Sequence, residues 1–261
     1  MSAADLLDEV TDRLETAQRS ATAIVADDSW PHFSLDQAYS IQGRLVARRI
    51  ERDDPLVGLK LGFTSEAKMR QMGVDELIVG HLTESMRLRE DDAVDLSALI
   101  HPRVEPEVAF LVGADVDLGD PDVEIAASIT GVCAAMEVID SRYAGFSFDL
   151  PRVVADNTSA AAFALGPWVD PAEVDLADLP VTLSGDGEIR SEGTTSAILG
   201  HPLHTLERLA LLARRWDLRI TAGTIILAGA ATEAVPLLPG RTTVEVAHLG
   251  RVSIDAKGAD S

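Results

Sequence analysis

Residues 103–112 read Arg-Val-Glu-Pro-Glu-Val-Ala-Phe-Leu-Val, and their alternation predicts a strand. In an extended chain Glu105 and Glu107 share one face, roughly 7 Å apart along the backbone, while Val104, Val108, Phe110 and Val112 share the other. Leu111 continues the glutamate face, so that face turns apolar after two residues and looks into a cleft. Two carboxylates held side by side repel unless a proton or a cation lies between them. The arrangement therefore suits an oxygen-ligated ion such as Mg²⁺ or Mn²⁺. A solvated strand edge in an acidic chain produces the same spacing without any metal.

Working outward, residues 132–140 read Val-Cys-Ala-Ala-Met-Glu-Val-Ile-Asp, a near-continuous apolar run that predicts a strand buried on both faces. Glu137 sits inside it. A buried unpaired charge is costly, so Glu137 is protonated, paired with nearby Arg142, or bound to a cation as a third oxygen ligand beside Glu105 and Glu107. Cys133 has no positive neighbour in sequence and reads as a packed thiol.

On the other side, residues 57–65 read Val-Gly-Leu-Lys-Leu-Gly-Phe-Thr-Ser. Alternation puts Val57, Leu59, Leu61 and Phe63 on one face and Gly58, Lys60 and Gly62 on the other, so the lysine stands in a lane that its glycine neighbours leave empty. The spacing is not that of a phosphate-binding loop. Lys60 can serve as an acid/base or as a cationic clamp on a carboxylate, with the Thr64 and Ser65 hydroxyls completing an anion site.

Helices precede this region. Leu6, Leu7, Val10, Leu14, Ala17, Ala21 and Ile24 recur at helical spacing, and Ser34-Leu-Asp-Gln37 has the form of a capping box opening a second helix through Tyr39, Val46 and Ile50. Beyond Leu56 short β-branched runs alternate with glycine and proline. They predict two hairpins, residues 181–183 with 188–190 and residues 242–247 with 251–256. One late helix begins near Pro202 and presents Leu206, Leu209, Leu212, Ala213 and Trp216 on its apolar side.

With 261 residues, 46% of them hydrophobic, and a formal charge of −21, the chain buries a real core and repels phosphate backbones and anionic lipid, so neither nucleic acid nor membrane is expected as a partner. No apolar stretch reaches the roughly 18 residues of a membrane helix. The N-terminus lacks the basic start and apolar run of a secretion signal, and a lone cysteine makes no internal disulfide, so a cytoplasmic protein is expected. The histidines show no zinc spacing, and neither Ser65 nor Ser159 lies in a nucleophile elbow.

Val57 to Ser65, Met72-Gly-Val74, the Glu105-x-Glu107 strand, Glu137-Val-Ile-Asp-Ser-Arg-Tyr143, Val154-Ala-Asp-Asn157, Leu199-Gly-His-Pro202 and Ala222 to Gly229 together resemble the 2-oxopent-4-enoate hydratase and 4-oxalocrotonate decarboxylase family of the fumarylacetoacetate hydrolase superfamily. The likeness runs in consistent order from about residue 35 to residue 256. It implies an α+β fold: a mixed β-sandwich or roll core of the fumarylacetoacetate hydrolase type with an N-terminal helical segment. Residues 1–75 would form that segment with the first strand, packed on a catalytic core of residues 76–261.

The resemblance further implies Mg²⁺ or Mn²⁺ held by Glu105, Glu107 and Glu137, with Lys60 and Ser65 as catalytic residues. Thr64, Ile78, Val79, Arg142 and Asn157 would contact substrate. It implies a small 2-oxo dicarboxylate as substrate, a role in meta-cleavage degradation of aromatic compounds, a homo-oligomer and a complex with a cognate hydratase. Hydratases of the family carry an aspartate in a Pro-Asp-(Phe/Tyr)-Gly stretch after Met-Gly-Val. This chain reads Met72-Gly-Val-Asp-Glu-Leu-Ile-Val-Gly80 and is more similar to the decarboxylases, although Leu77 departs from the usual proline. The alternatives are a hydratase in which Asp75 or Glu76 replaces that aspartate, and a non-catalytic metal-binding partner subunit of a hydratase.

Overall fold

The structure, a computed structural model, describes residues 2–27, 30–65, 69, 76–89 and 92–258. Helices α1 (Ala3–Arg19) and α2 (Leu35–Ile50) each open on a capping box, Ser2 with Asp5 and Ser34 with Gln37, which satisfies amides that have no partner inside the helix. Their apolar stripes meet: Val10, Leu14, Ala38 and Ile41 bury against Trp30, Tyr143 and Val154. The first helix stops at Arg19, short of the expected Ile24, because Ala21 turns left-handed (φ 46°) and Ile24 pairs its backbone with Tyr143. A third helix, α3 (Leu150–Ala155), joins this cluster. Its six residues span less than two turns, too short for a periodic signal.

The strands are β1 (Leu56–Gly62), β2 (Ile78–Thr83), β3 (Arg87–Leu88), β4 (Ala93–Asp95), β5 (Arg103–Val112), β6 (Ile129–Ile139), β7 (Ala160–Leu165), β8 (Pro180–Gly185), β9 (Glu188–Thr194), β10 (Ile225–Ala230), β11 (Val235–Pro236), β12 (Gly240–Val246) and β13 (Gly250–Lys257), with α4 (His204–Arg215) between β9 and β10. One sheet runs β2-β1-β10-β5-β6-β7-β3, with β11 alongside β5; the other runs β4-β13-β12-β8-β9. Both expected hairpins form, the first through a turn in which Asp186 (φ 50°) and Gly187 (φ 87°) are both left-handed, as a tight two-residue connection requires. The first strand lies inside the large sheet, parallel to β10. The expected division between residues 75 and 76 falls beside positions outside the described residues.

Alternation divides the large sheet into two faces. Leu59, Leu61, Val104, Val108, Phe110, Val132, Ala134 and Met136 join Leu183, Val244, Ile254 and the apolar stripe of α4 in the main core between the two sheets. Burying one such Leu or Phe side chain contributes about 1.5–3 kcal/mol. The opposite face curls in on itself. Strands β1 and β6 are three steps apart, roughly 14 Å in a flat sheet at about 4.8 Å per step, yet Lys60 on β1 reaches Glu137 on β6 at 2.8 Å, and β2 comes into contact with β7. Inside this roll lie Ala109, Cys133, Ala135, Leu82, Phe163 and Leu227. Burial pushes the Cys133 thiol up to about 12, so it is a packed group and no nucleophile. No helix among the described residues is long and apolar enough to cross a membrane.

Candidate active site and metal centre

Lys60, Glu105, Glu107 and Glu137 all project from the concave face of the rolled sheet. Glu105 stands directly opposite Glu137 in the β5–β6 register, and Glu107 is one same-face step further along β5. One carboxylate oxygen from each of the three acids lies within 4.8 Å of the others. Glu107 and Glu137 are fully buried, Lys60 is 3% exposed, and Glu105 opens partly to the cavity. The Glu107 Oε2 atom accepts the Gly229 amide at 2.8 Å. That amide is aimed by an irregularity in β10 between Leu227 and Ala230, where Gly229 takes φ 107°. A side chain there would lie 2.0 Å from Thr64 Oγ1, so only glycine lets the amide approach.

The electrostatics of this group are unbalanced. Burial raises the pKa of Glu107 well above the usual carboxylate range, and the neighbouring Glu137 adds to it; burial likewise raises Glu137, against the pull of Lys60. For Lys60, burial works against the ammonium, but the charges of Glu137, Glu105 and Glu107 outweigh it and hold its pKa above the ordinary lysine value. Lys60 Nζ lies 2.8 Å from Glu137 Oε2 and donates to the Thr158 carbonyl at 3.2 Å. Glu107 Oε1 and Glu137 Oε1 nevertheless have no hydrogen-bond partner among the described residues, and Glu137 Oε2 has only its ion pair with Lys60. Three carboxylates against one ammonium leave two negative charges in a buried place. A hard divalent cation fits both the charge and the all-oxygen donor set, and Mg²⁺ or Mn²⁺ meets that description. Arg142, the sequence-adjacent partner for Glu137, is engaged elsewhere.

A cavity of about 350 Å³ opens from this centre. Of the residues singled out from the sequence, Lys60, Thr64, Ser65, Ile78 and Glu105 line it. Three other expected contacts lie outside it. Val79 packs into the main core beside Leu59 and Leu61, because on a strand it faces away from Ile78. Arg142 is buried, bonded to Asp156 and to the carbonyls of Asp140 and Ala160, and does not line the cavity. Asn157 gives its side-chain amide to the main chain of His81.

Sequence reasoning passed over Phe63, Phe146, Phe148, Val153, Thr158, Ser159 and Glu233, which also line the cavity. Phe63 was placed on the core face with Leu61, but the strand ends at Gly62 and a left-handed Phe63 (φ 60°) breaks the alternation. Phe146 is likewise left-handed (φ 56°), and its ring makes a tilted contact with His101 and lies under Arg103. Glu76, one of the two acids offered for a hydratase, pairs with Arg215 at 2.8 Å on the exposed surface; Asp75 lies outside the described residues.

The model of the fumarylacetoacetate (FAA) hydrolase C-terminal family matches residues 66–255. A 4-oxalocrotonate decarboxylase from Pseudomonas sp is 44% identical over 93% of this chain and 97% of its own length. A 2-keto-4-pentenoate hydratase from Paraburkholderia xenovorans (strain LB400) is 34% identical over 89% of this chain and 88% of its own. Among solved structures, the 4-oxalocrotonate decarboxylase from Pseudomonas putida G7, complexed with magnesium and adipate, superposes with a TM-score of 0.90 at 37% identity, covering 98% of this chain and 99% of that one. The chain thus belongs to the 4-oxalocrotonate decarboxylase and 2-oxopent-4-enoate hydratase family of the fumarylacetoacetate hydrolase superfamily, on its decarboxylase side.

Proposed function

We propose that this protein is a Mg²⁺- or Mn²⁺-dependent carbon–carbon lyase that converts 2-oxohex-3-enedioate to 2-hydroxypenta-2,4-dienoate and CO₂, in the cytoplasm, during meta-cleavage degradation of aromatic compounds. The observation that carries the reading is the acidic trio Glu105, Glu107 and Glu137, the last two fully buried with oxygens that no hydrogen bond fills, beside Lys60 and the cavity that Lys60 and Glu105 line. The two decarboxylase relatives named above support it. A divalent ion on the trio supplies Lewis acidity at the 2-oxo acid end of the substrate.

In this reaction the bond between C5 and the distal carboxylate breaks. Its electron pair moves through C4 and C3 to the C2 oxygen, which takes up a proton that comes ultimately from solvent. Lys60 Nζ, held charged by the acids around it, is the group placed to orient that oxygen and hold the proton there. Ser65, with Thr64 beside it, holds an oxygen of the proximal carboxylate. The apolar lining of Ile78, Phe148 and Val153 would keep water from the departing carboxylate. With Glu76 committed to Arg215 on the surface, it is not available at the cavity to handle water for a hydration. The dienoate product is itself a substrate for hydration, which favours a complex of this protein, as a homo-oligomer, with a cognate hydratase.

The test is to assay the isolated protein with Mg²⁺ on both substrates. CO₂ release with appearance of the dienoate is the expected result. Consumption of the dienoate without CO₂ release would establish a hydratase, and silence on both would leave a metal-binding partner subunit. Lys60→Ala should retain metal and lose at least about tenfold in rate, about 1.4 kcal/mol of barrier; an unchanged rate removes the lysine from the mechanism.

A further inference from the structure

A left-handed turn of three consecutive residues, none of them glycine, stands against Lys60. Asn157, Thr158 and Ser159 have φ of 48°, 50° and 62°, a region that costs a residue with a Cβ about 1 kcal/mol or more. One such residue is ordinary at a helix end, whereas three in succession need an external hold. Asn157 supplies it. Its Oδ1 accepts the His81 N–H at 2.8 Å and its Nδ2 donates to the His81 carbonyl at 2.9 Å, so the side-chain amide pairs with β2 as a neighbouring strand would. At the far side of the turn Ser159 N–H donates to the Asp156 carbonyl at 3.0 Å, and Asp140 N–H donates to the Ser159 carbonyl at 2.8 Å.

The turn delivers one group to the site, the Thr158 carbonyl, which accepts from Lys60 Nζ at 3.2 Å. Gly80 lies across from Lys60 in the β1–β2 register and makes the approach possible. A Cβ on Gly80 would lie 2.2 Å from Thr158 Oγ1 and 2.9 Å from both the Asn157 carbonyl oxygen and Lys60 Cδ. An ammonium on a four-carbon stem is mobile, and three carboxylates compete for it. With Glu137 on one side and the Thr158 carbonyl on another, two of its three N–H bonds are directed, and the third is left for the substrate's C2 oxygen.

We propose that Asn157 is a positioning residue for the reaction: by clamping the left-handed turn to His81 it fixes the Thr158 carbonyl, which in turn aims the Lys60 ammonium, and Asn157 itself does not touch substrate. The proposal rests on the role given to Lys60 above.

The experiment compares Asn157→Gly, Lys60→Ala and the double variant in the Mg²⁺-loaded enzyme. Glycine keeps the left-handed backbone accessible and removes only the clamp. The expected result is a fall in kcat of about tenfold in Asn157→Gly, with KM and the calorimetric Kd for Mg²⁺ changed by less than about threefold, and no further loss when the change is added to Lys60→Ala. A purely structural role would raise KM and add its loss to that of Lys60→Ala; either outcome overturns the proposal. A normal kcat in Asn157→Gly with a slow Lys60→Ala overturns it alone, whereas a normal Lys60→Ala removes the lysine reading and this one with it. Should Asn157→Gly not fold, Asn157→Asp keeps the acceptor for His81 N–H but loses the donor, and the same non-additivity with Lys60→Ala decides.

Discussion

Two buried ionic clusters lie among the described residues, and they are built to opposite ends. Arg142 with Asp156 and Lys60 with Glu137 are equally hidden from solvent, each basic side chain 4% exposed and each acid fully buried. Around Arg142 every guanidinium nitrogen has a protein acceptor: Nε meets the Asp156 carboxylate, Nη1 the carbonyls of Asp140 and Ala160, and Nη2 the Asp156 carbonyl. Asp156 also takes the Arg142 amide and the Ser141 hydroxyl. Around Lys60 the acids outnumber the base and leave oxygens unfilled beside a cavity. Burial alone therefore does not mark a reacting site. Incompleteness does, because a cluster already saturated by protein has nothing to offer a ligand.

The contrast can be broken most directly at Arg142. Arg142→Met leaves Asp156 as an uncompensated buried charge and should cost about 3–5 kcal/mol of stability in a denaturant titration; a loss below about 1 kcal/mol would erase the distinction. Glu107→Gln works the other way. Calorimetry should show Mg²⁺ affinity falling by at least about a hundredfold, about 2.7 kcal/mol, while the metal-free protein melts at the same temperature or higher, since a strained carboxylate has gone. His81 sharpens the comparison between satisfied and unsatisfied burial. Burial pushes its ring down to about 4, and its Nδ1 has no partner among the described residues. The unfolded ring titrates near about 6.5, so between that pH and about 4 the unfolded chain binds the extra proton and stability falls as pH is lowered. His81→Gln should flatten that fall by about 3 kcal/mol. The smallest effect belongs to the exposed pair of Arg44 with Asp8 between α1 and α2: Asp8→Asn should change stability by less than about 1 kcal/mol.

What could be read from the chain follows the range of each interaction. The Glu105-x-Glu107 alternation, the Ser34 capping box and the Asp186-Gly187 turn are local, and each forms as its residues dictate. The pairing of Glu137 with Lys60 and not Arg142 depends on how far the sheet curls, which no neighbouring residues encode. Phe63 and the turn at residues 157–159 escaped because their left-handed backbones are imposed by tertiary contacts on residues that give no local sign of it. Val79 illustrates the reverse: resemblance placed it at the cavity, although the alternation that puts Ile78 there turns its neighbour away.

The position of β10 carries a consequence for biosynthesis. Residues 225–230 wedge between β1 and β5, so Lys60 and the acids of β5 belong to a common surface only once that late segment is in place. A nascent chain cannot bring Lys60 and these acids onto one sheet while residue 230 is still inside the ribosome, and truncation before β10 removes the strand that joins them.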